Sequence, residues 1–211
     1  HEIPPYNIFE ASYRLVQTIR YWTAGTVFVS VVDPGVGTRR KSVVALTQDG
    51  HYVVTPDNGT LTHTARDIGV AAVREIEESR HRLPDSAASY TFYGRDLYAN
   101  TGAKLAGGVI SYEDVGPLLP ADAIVVLPTT ETIVAPGSVQ GSVDVLDIRF
   151  GSLWTSVGRE DFLTLGLAFG DKVQVSIYNQ SSLVYQNAMV FGRSFADVHI
   201  GDAVVYVNSL Y

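Results

Sequence analysis

Between Asn7 and Val32 the sequence changes its hydrophobic period once, and that change limits what the chain can fold into. Ile8, Ser12, Leu15, Ile19 and Trp22 recur at spacings of three and four, the signature of an amphipathic helix. Asn7 and Glu10 stand as a capping box at its start, and Gly25 as its stop. Residues 26–32 are then apolar at nearly every position, as in a strand of a buried parallel sheet with both faces covered. A helix feeding such a strand calls for layers of helix against sheet. The pattern continues with strands over 42–46 and 52–54 flanking Asp49-Gly50, a hairpin signal. A short helix over 61–68, a strand over 72–76 and a helix over 97–106 capped by Gly107-Gly108 complete this part.

After Pro117 the texture changes. Residues 123–127, 132–134, 142–148, 153–157, 172–178, 183–190 and 203–207 read as strands separated by Gly, Asn, Asp and Ser, and only 160–165 reads as helix. Short strands with regular turn signals indicate a sandwich or barrel. The expected architecture is α/β in two domains: an N-terminal α/β sandwich over 1–119 and a smaller all-β, barrel-like domain over 120–211. With 46% hydrophobic and 18% charged residues, the chain carries enough apolar side chain to bury a core.

Charge and cysteine narrow the function classes. A net charge of -7 weighs against attraction to nucleic acid or to an anionic membrane. The charges are scattered, with local clusters only at Arg39-Arg40-Lys41 and over 77–82. No apolar run approaches the roughly 20 residues that a spanning helix needs. With no cysteine there is neither a disulfide nor a thiolate metal ligand, which fits a reducing cytoplasm. The five histidines stand apart from one another and from acids at metal-ligand spacing, so no metal site and no cofactor are expected.

Four clusters are candidates for chemistry. The first is V-V-D-P-G-V-G-T-R-R-K-S, residues 31–42, where an apolar strand runs into an aspartate, a proline and two glycines. D-P-G most often only turns the chain, and the phosphate-loop patterns fail because G-K-[ST] and a third glycine are missing. Position raises the functional reading: ligands of α/β proteins gather at the carboxyl ends of strands, and Asp33 sits at such an end. Arg40, seven residues on, can fold back on Asp33 and keep it ionised and fixed in direction. The second cluster is T-F-Y-G-R-D, residues 91–96, where Asp96 by itself reads as a helix N-cap. The third is T-P-D-N-G, residues 55–59, which alone reads as a turn, and the fourth is L-D-I-R-F-G-S-L-W-T, residues 146–155.

Taken in order, V-V-D-P-G-V-G-T-R-R-K-S, T-P-D-N-G-T-L-T, T-F-Y-G-R-D, R-F-G-S-L-W-T-S and S-F-A-D resemble the S-adenosyl-L-methionine hydroxide adenosyltransferase family, related to the fluorinase and chlorinase. The resemblance implies an α/β domain followed by a β-barrel domain, in a homotrimer with ligand between neighbouring subunits. It implies that water attacks the ribose C5′ of S-adenosylmethionine, giving adenosine and methionine. Asp33 and Arg40 match the family's water-holding pair. The third member, usually histidine, is Tyr93 here, a tyrosine shared with the halogenases; those lack the Asp33 carboxylate, which would repel a halide. A non-catalytic nucleoside-binding trimer is the remaining alternative. For the substrate, the resemblance implies Tyr6 and Phe92 near the ribose, Phe150, Ser152 and Phe195 around the adenine, Asp147 and Ser209 near the methionine end, and Gly94 as a further substrate contact. Ser152 stands where the family has asparagine. The resemblance further implies a strand before His1 and a continuation past Tyr211.

Overall fold

In the computed structural model, which describes residues 3–209, helix α1 spans Ile8–Ile19. Asn7 caps it, its side-chain oxygen accepting from the Glu10 backbone N–H at 2.9 Å. The capping box closes only halfway: the Asn7 N–H is already donated to the Pro4 carbonyl, so the Glu10 carboxylate meets the Asn7 side-chain amide instead. Trp22 falls past the helix end and packs edge-on against Phe28.

The central sheet contains β1 (Val27–Val29), β2 (Ser42–Thr47), β3 (Tyr52–Pro56), β4 (Val70–Glu75) and β5 (Leu118–Leu119), in the order β1-β3-β2-β4-β5. Among the described strands of this sheet only β1 and β3 pair in parallel; β2–β3, β2–β4 and β4–β5 are antiparallel. The expectation of a long strand in a buried parallel sheet is therefore corrected. β1 is three residues long and lies at one edge of the described sheet, with Val29 44% exposed. The strands buried on both faces are β2 and β3, and their period of two feeds two cores. Val43, Ala45 and Val53 face α1, with Leu15, Ile19 and Leu61. Val44 and Val54 face the other way, onto Tyr93, Leu97, Tyr98 and Tyr112.

Helix α2 (Thr62–Asp67) joins α1 through a buried polar contact. The Ser12 hydroxyl oxygen accepts from the His63 backbone N–H at 2.9 Å, which leaves its own O–H to donate to His63 Nδ1 at 3.0 Å. His63 is fully buried, with Phe9 and Tyr13 edge-on to its ring, and among the described residues its Nε2 has no hydrogen-bond partner. Burial lowers its pKa to about 4, with Arg66 adding to the shift. The folded form thus stays neutral while the unfolded chain takes up a proton. Stability is whole above about pH 6.5 and declines as pH falls toward 4, by at most about 3 kcal/mol. Urea unfolding at pH 7 and pH 4.5 checks this: His63→Gln is expected to flatten the difference, and an equal pH dependence in both proteins would exclude His63 as its source.

On the opposite face lie α3 (Glu78–His81), a π-helical turn Gly94–Ala99 and α4 (Asn100–Ala106), which continues that turn. The sequence period reads as an α-helix over 97–106; the wider turn at its start carries Asp96, Leu97 and Tyr98 inward together. α4 approaches β1 closely at Gly102, where a Cβ would lie 2.5 Å from Val29 Cγ2.

Residues up to Pro128 form one compact unit and those from Thr129 a second. The strand expected over 123–127 is absent. Its backbone is engaged by side chains of the first unit instead, Val125 N–H donating to Asp57 Oδ1 and Leu127 N–H to Thr62 Oγ1. Burial raises the Asp57 pKa, an effect that the Val125 N–H opposes. Leu127 sits against Gly59, whose φ is +109° and whose Cβ, if it had one, would lie 2.5 Å from Leu127 Cγ.

The second unit is all-β apart from α5 (Arg159–Leu163) and a 3-10 turn at Phe195–Asp197. β6 (Ile133–Ala135) pairs with β7 (Ser138–Gln140) and β8 (Val143–Asp147) with β9 (Ser152–Thr155). β10 (Lys172–Asn179), β11 (Ser182–Phe191) and β12 (Val204–Val205) form a third sheet. Among the described residues no helix is long and apolar enough to cross a membrane.

Candidate active site

The ladder of β1 ends where Ser30 N–H donates to the Val54 carbonyl, and the chain then leaves the sheet. Asn58 catches it there, its side-chain amide donating to the Val32 carbonyl at 2.9 Å while its oxygen accepts from the Thr60 hydroxyl at 2.7 Å. The T-P-D-N-G cluster is therefore more than a turn: it fixes the residue immediately before Asp33. The following loop closes through Val36 N–H to the Asp33 carbonyl, and through Thr38, whose N–H and hydroxyl both reach the Gly35 carbonyl. Gly37 holds a φ of +78° against the Tyr90 carbonyl, a conformation and a closeness that a side chain would oppose.

This loop folds Arg40 back onto Asp33. Arg40 Nε donates to Asp33 Oδ1 at 2.7 Å and Nη2 donates to Oδ2, a two-pronged pair. The side chains are 9% and 6% exposed respectively. The remaining nitrogen, Nη1, donates to Ser42 Oγ at 3.0 Å, and Ser42 Oγ lies 3.0 Å from the Tyr98 hydroxyl. Arg40 is thus committed on all sides. Each Asp33 oxygen keeps a second lone pair, so the carboxylate can still accept from a water or hydroxyl.

The Tyr93 ring lies under the Arg40 guanidinium, with 5.2 Å from Cζ to the centroid; the Tyr98 ring lies 5.7 Å from the same carbon. The Tyr93 hydroxyl donates to Glu78 Oε2 at 3.1 Å. Burial and the neighbouring Glu78 carboxylate push the Tyr93 phenol above its usual pKa, so it is protonated at neutral pH. Burial pushes the Tyr98 phenol up as well. Arg82 Cζ lies 4.7 Å from the Tyr93 ring and 4.9 Å from that of Tyr90, and Arg82 Nη2 donates to the Ser89 carbonyl.

Asp33, Arg40 and Tyr93 are therefore neighbours. Phe92 and Gly94 flank Tyr93 in the chain; Phe92 is half exposed beneath the Arg95 guanidinium, and Gly94 lies against Val31. Asp96 does not act as an N-cap but lies buried within the π turn, and the Arg95 Nε that donates to it at 2.6 Å lowers its pKa. Tyr6 is exposed with a φ of 67°, unusual for a non-glycine residue.

In the second unit the buried Asp147 carboxylate accepts from the Arg149 backbone N–H and guanidinium. Phe150 is exposed below that guanidinium, with 5.9 Å to its ring. Ser152 Oγ lies 3.2 Å from the Tyr206 hydroxyl, and the Phe195 ring packs 5.0 Å from that of Tyr206. Ser209 is exposed near the end of the described chain. Among the described residues no group of three or more His, Cys, Asp or Glu is arranged to hold a metal ion.

Sequence reasoning missed Glu78, Arg82 and Tyr206. The first two did leave a signal, since they stand four apart within the 77–82 charge cluster, the spacing of a helical ion pair. Tyr206 left none.

Residues 1–116 match the SAM hydroxide adenosyltransferase N-terminal domain, and residues 141–211 match the C-terminal domain of the same name. Over 105 residues the chain is 43% identical to an (R)-S-adenosyl-L-methionine hydrolase of Methanocaldococcus jannaschii, a match covering 50% of this chain and 38% of that protein. It is 35% identical to an (R)-S-adenosyl-L-methionine hydrolase of Thermus thermophilus over 99% of this chain and 74% of the relative. A fluorinase of Actinopolyspora mzabensis is 28% identical over 99% of this chain and 76% of its own length. Among solved structures, an uncharacterized conserved protein from Thermotoga maritima superposes with a TM-score of 0.89 at 35% identity, covering 100% of this chain and 76% of that one.

Proposed function

The chain belongs to the SAM hydroxide adenosyltransferase family, and from that premise we propose that it hydrolyses S-adenosyl-L-methionine to adenosine and L-methionine. The observation that carries the choice of water as nucleophile is the Asp33 carboxylate, gripped by Arg40 with lone pairs to spare. A carboxylate accepts from water and orients its oxygen, whereas it repels fluoride or chloride. The higher identity to a hydrolase than to a fluorinase across nearly the whole chain supports the same reading.

In this reading Asp33 accepts one O–H of the water and turns its free lone pair toward ribose C5′. The C5′–O bond forms as the C5′–S bond breaks, and sulfur takes the bonding pair to leave as the neutral thioether of methionine. The added oxygen sheds its surplus proton through Asp33 to solvent. The sulfonium is a good leaving group in its own right, so the protein supplies alignment and exclusion of bulk water, and the chemistry calls for no cofactor. Arg40 grips both oxygens of Asp33 and keeps the carboxylate aimed. Tyr93, protonated and donating to Glu78, supports Arg40 through its ring and does not serve as a base.

Tyr6 and Phe92 contact the ribose; Phe150, Ser152 and Phe195 the adenine; Asp147 and Ser209 the methionine end; Gly94 is a further substrate contact. The working assembly is a homotrimer, which light scattering on the purified protein tests. The lack of cysteine supports a cytoplasmic setting.

Incubation of the protein with S-adenosylmethionine in chloride buffer, followed by chromatography with mass detection, tests the reaction. Adenosine and methionine in equal amounts are expected. A chlorinated deoxyadenosine would move the protein to the halogenases. Calorimetric binding of adenosine without turnover would make it a nucleoside-binding protein.

A further inference from the structure

Arg40 is held on one side by Asp33 and Ser42, and its guanidinium plane meets the Tyr93 ring. That ring carries a second cation, since Arg82 lies over it at 4.7 Å. Two guanidiniums sharing one ring repel each other, so the arrangement needs a nearby negative charge and a ring that does not swing. Glu78 supplies both. Its Oε2 accepts the Tyr93 hydroxyl at 3.1 Å and stands 3.5 Å from Arg82 Nη1. Arg82 is tied down independently, through Ser86 Oγ and the Ser89 carbonyl. A tyrosine ring pinned at its hydroxyl cannot swing about its Cα–Cβ bond, so it stays in place as the surface against which the Arg40 guanidinium rests.

We propose that Glu78 is a positioning residue for the hydrolysis, acting through the Tyr93 hydroxyl on the Arg40 guanidinium that aims Asp33. The inference rests on the hydrolase reading above and extends it to a residue outside every motif of the sequence. Glu78 begins a short helix and is 40% exposed, so its replacement does not open a core.

The test is a double-mutant cycle on the whole protein, with kcat and KM for S-adenosylmethionine and the melting temperature read for each variant. Misalignment of a positioned nucleophile lowers kcat, and Glu78→Ala is expected to lose about tenfold with KM little changed. Tyr93→Phe, which removes the hydroxyl but keeps the ring, is expected to lose a similar factor. The pair combined loses no more than either alone, because both break one contact. Glu78→Gln keeps an acceptor for the phenol and is expected to recover most of kcat. Losses that multiply in the double variant, a change confined to KM, or a kcat loss matched by a fall in melting temperature would each overturn the proposal. Wild-type kcat in Glu78→Ala would overturn it while leaving the hydrolase reading intact. A wild-type protein that forms no adenosine would remove the hydrolase reading itself, and this role with it.

Discussion

Replacing Asp33 by alanine is expected to lower kcat about a thousandfold, the usual loss when a group that directs a nucleophile is removed from a closed site. Binding of S-adenosylmethionine is expected to change little, because in the proposed mechanism Asp33 touches water and the substrate is held elsewhere. Calorimetry with substrate, paired with product chromatography, separates the two effects. Unchanged turnover would remove Asp33 from the mechanism. Loss of binding in step with turnover would make it a substrate contact. The same variant has a second readout, since removing the carboxylate removes the charge that opposes a halide. Traces of chlorinated nucleoside in high chloride would show that charge selects the nucleophile.

Replacing Arg40 by methionine is expected to destabilise the fold by about 3–5 kcal/mol, because it strands a buried carboxylate. Asp33 is 6% exposed and both its oxygens accept from Arg40, so the substitution removes two charge-assisted hydrogen bonds at once. The double variant Asp33→Asn with Arg40→Met is expected to regain much of that stability, since the amide carries no charge to leave unpaired. Denaturant midpoints of the three proteins decide the matter. A double variant no more stable than Arg40→Met alone would locate the loss in packing against Tyr93 and Tyr98 instead. Arg40→Lys keeps the charge but not the fork, and its kcat reports how far two-point contact matters.

Much of this arrangement was legible in the residues. The helix at Ile8–Ile19, the hairpin of β2 and β3 and the long pair β10–β11 follow their hydrophobic periods and turn residues. The meeting of Asp33 and Arg40 was legible too, because only a short glycine-bearing loop separates them. Two expectations failed for a shared reason. Residues 123–127 are an apolar, β-branched run like a strand, yet the Val125 and Leu127 N–H groups find the Asp57 and Thr62 side chains. Residues 26–32 are apolar like a central strand, yet the ladder ends at the Ser30 N–H, and the Val32 carbonyl accepts from the Asn58 side chain. In each case a distant side chain satisfied backbone groups that sequence reasoning had assigned to a sheet.

The sequence by itself determined which segments bury apolar surface, where the chain turns, and that an aspartate and an arginine flank one loop. Those are local properties, set by periodicity and by glycine and proline, and they need no knowledge of neighbours. Only the tertiary structure decided that Tyr93 gives its hydroxyl to Glu78, that its ring lies under Arg40, and that a π turn carries Asp96, Leu97 and Tyr98 inward together. Hydrogen bonds and ring contacts require close, well-aligned approach between residues far apart in the chain. Packing fixes such distances, and hydrophobic period does not.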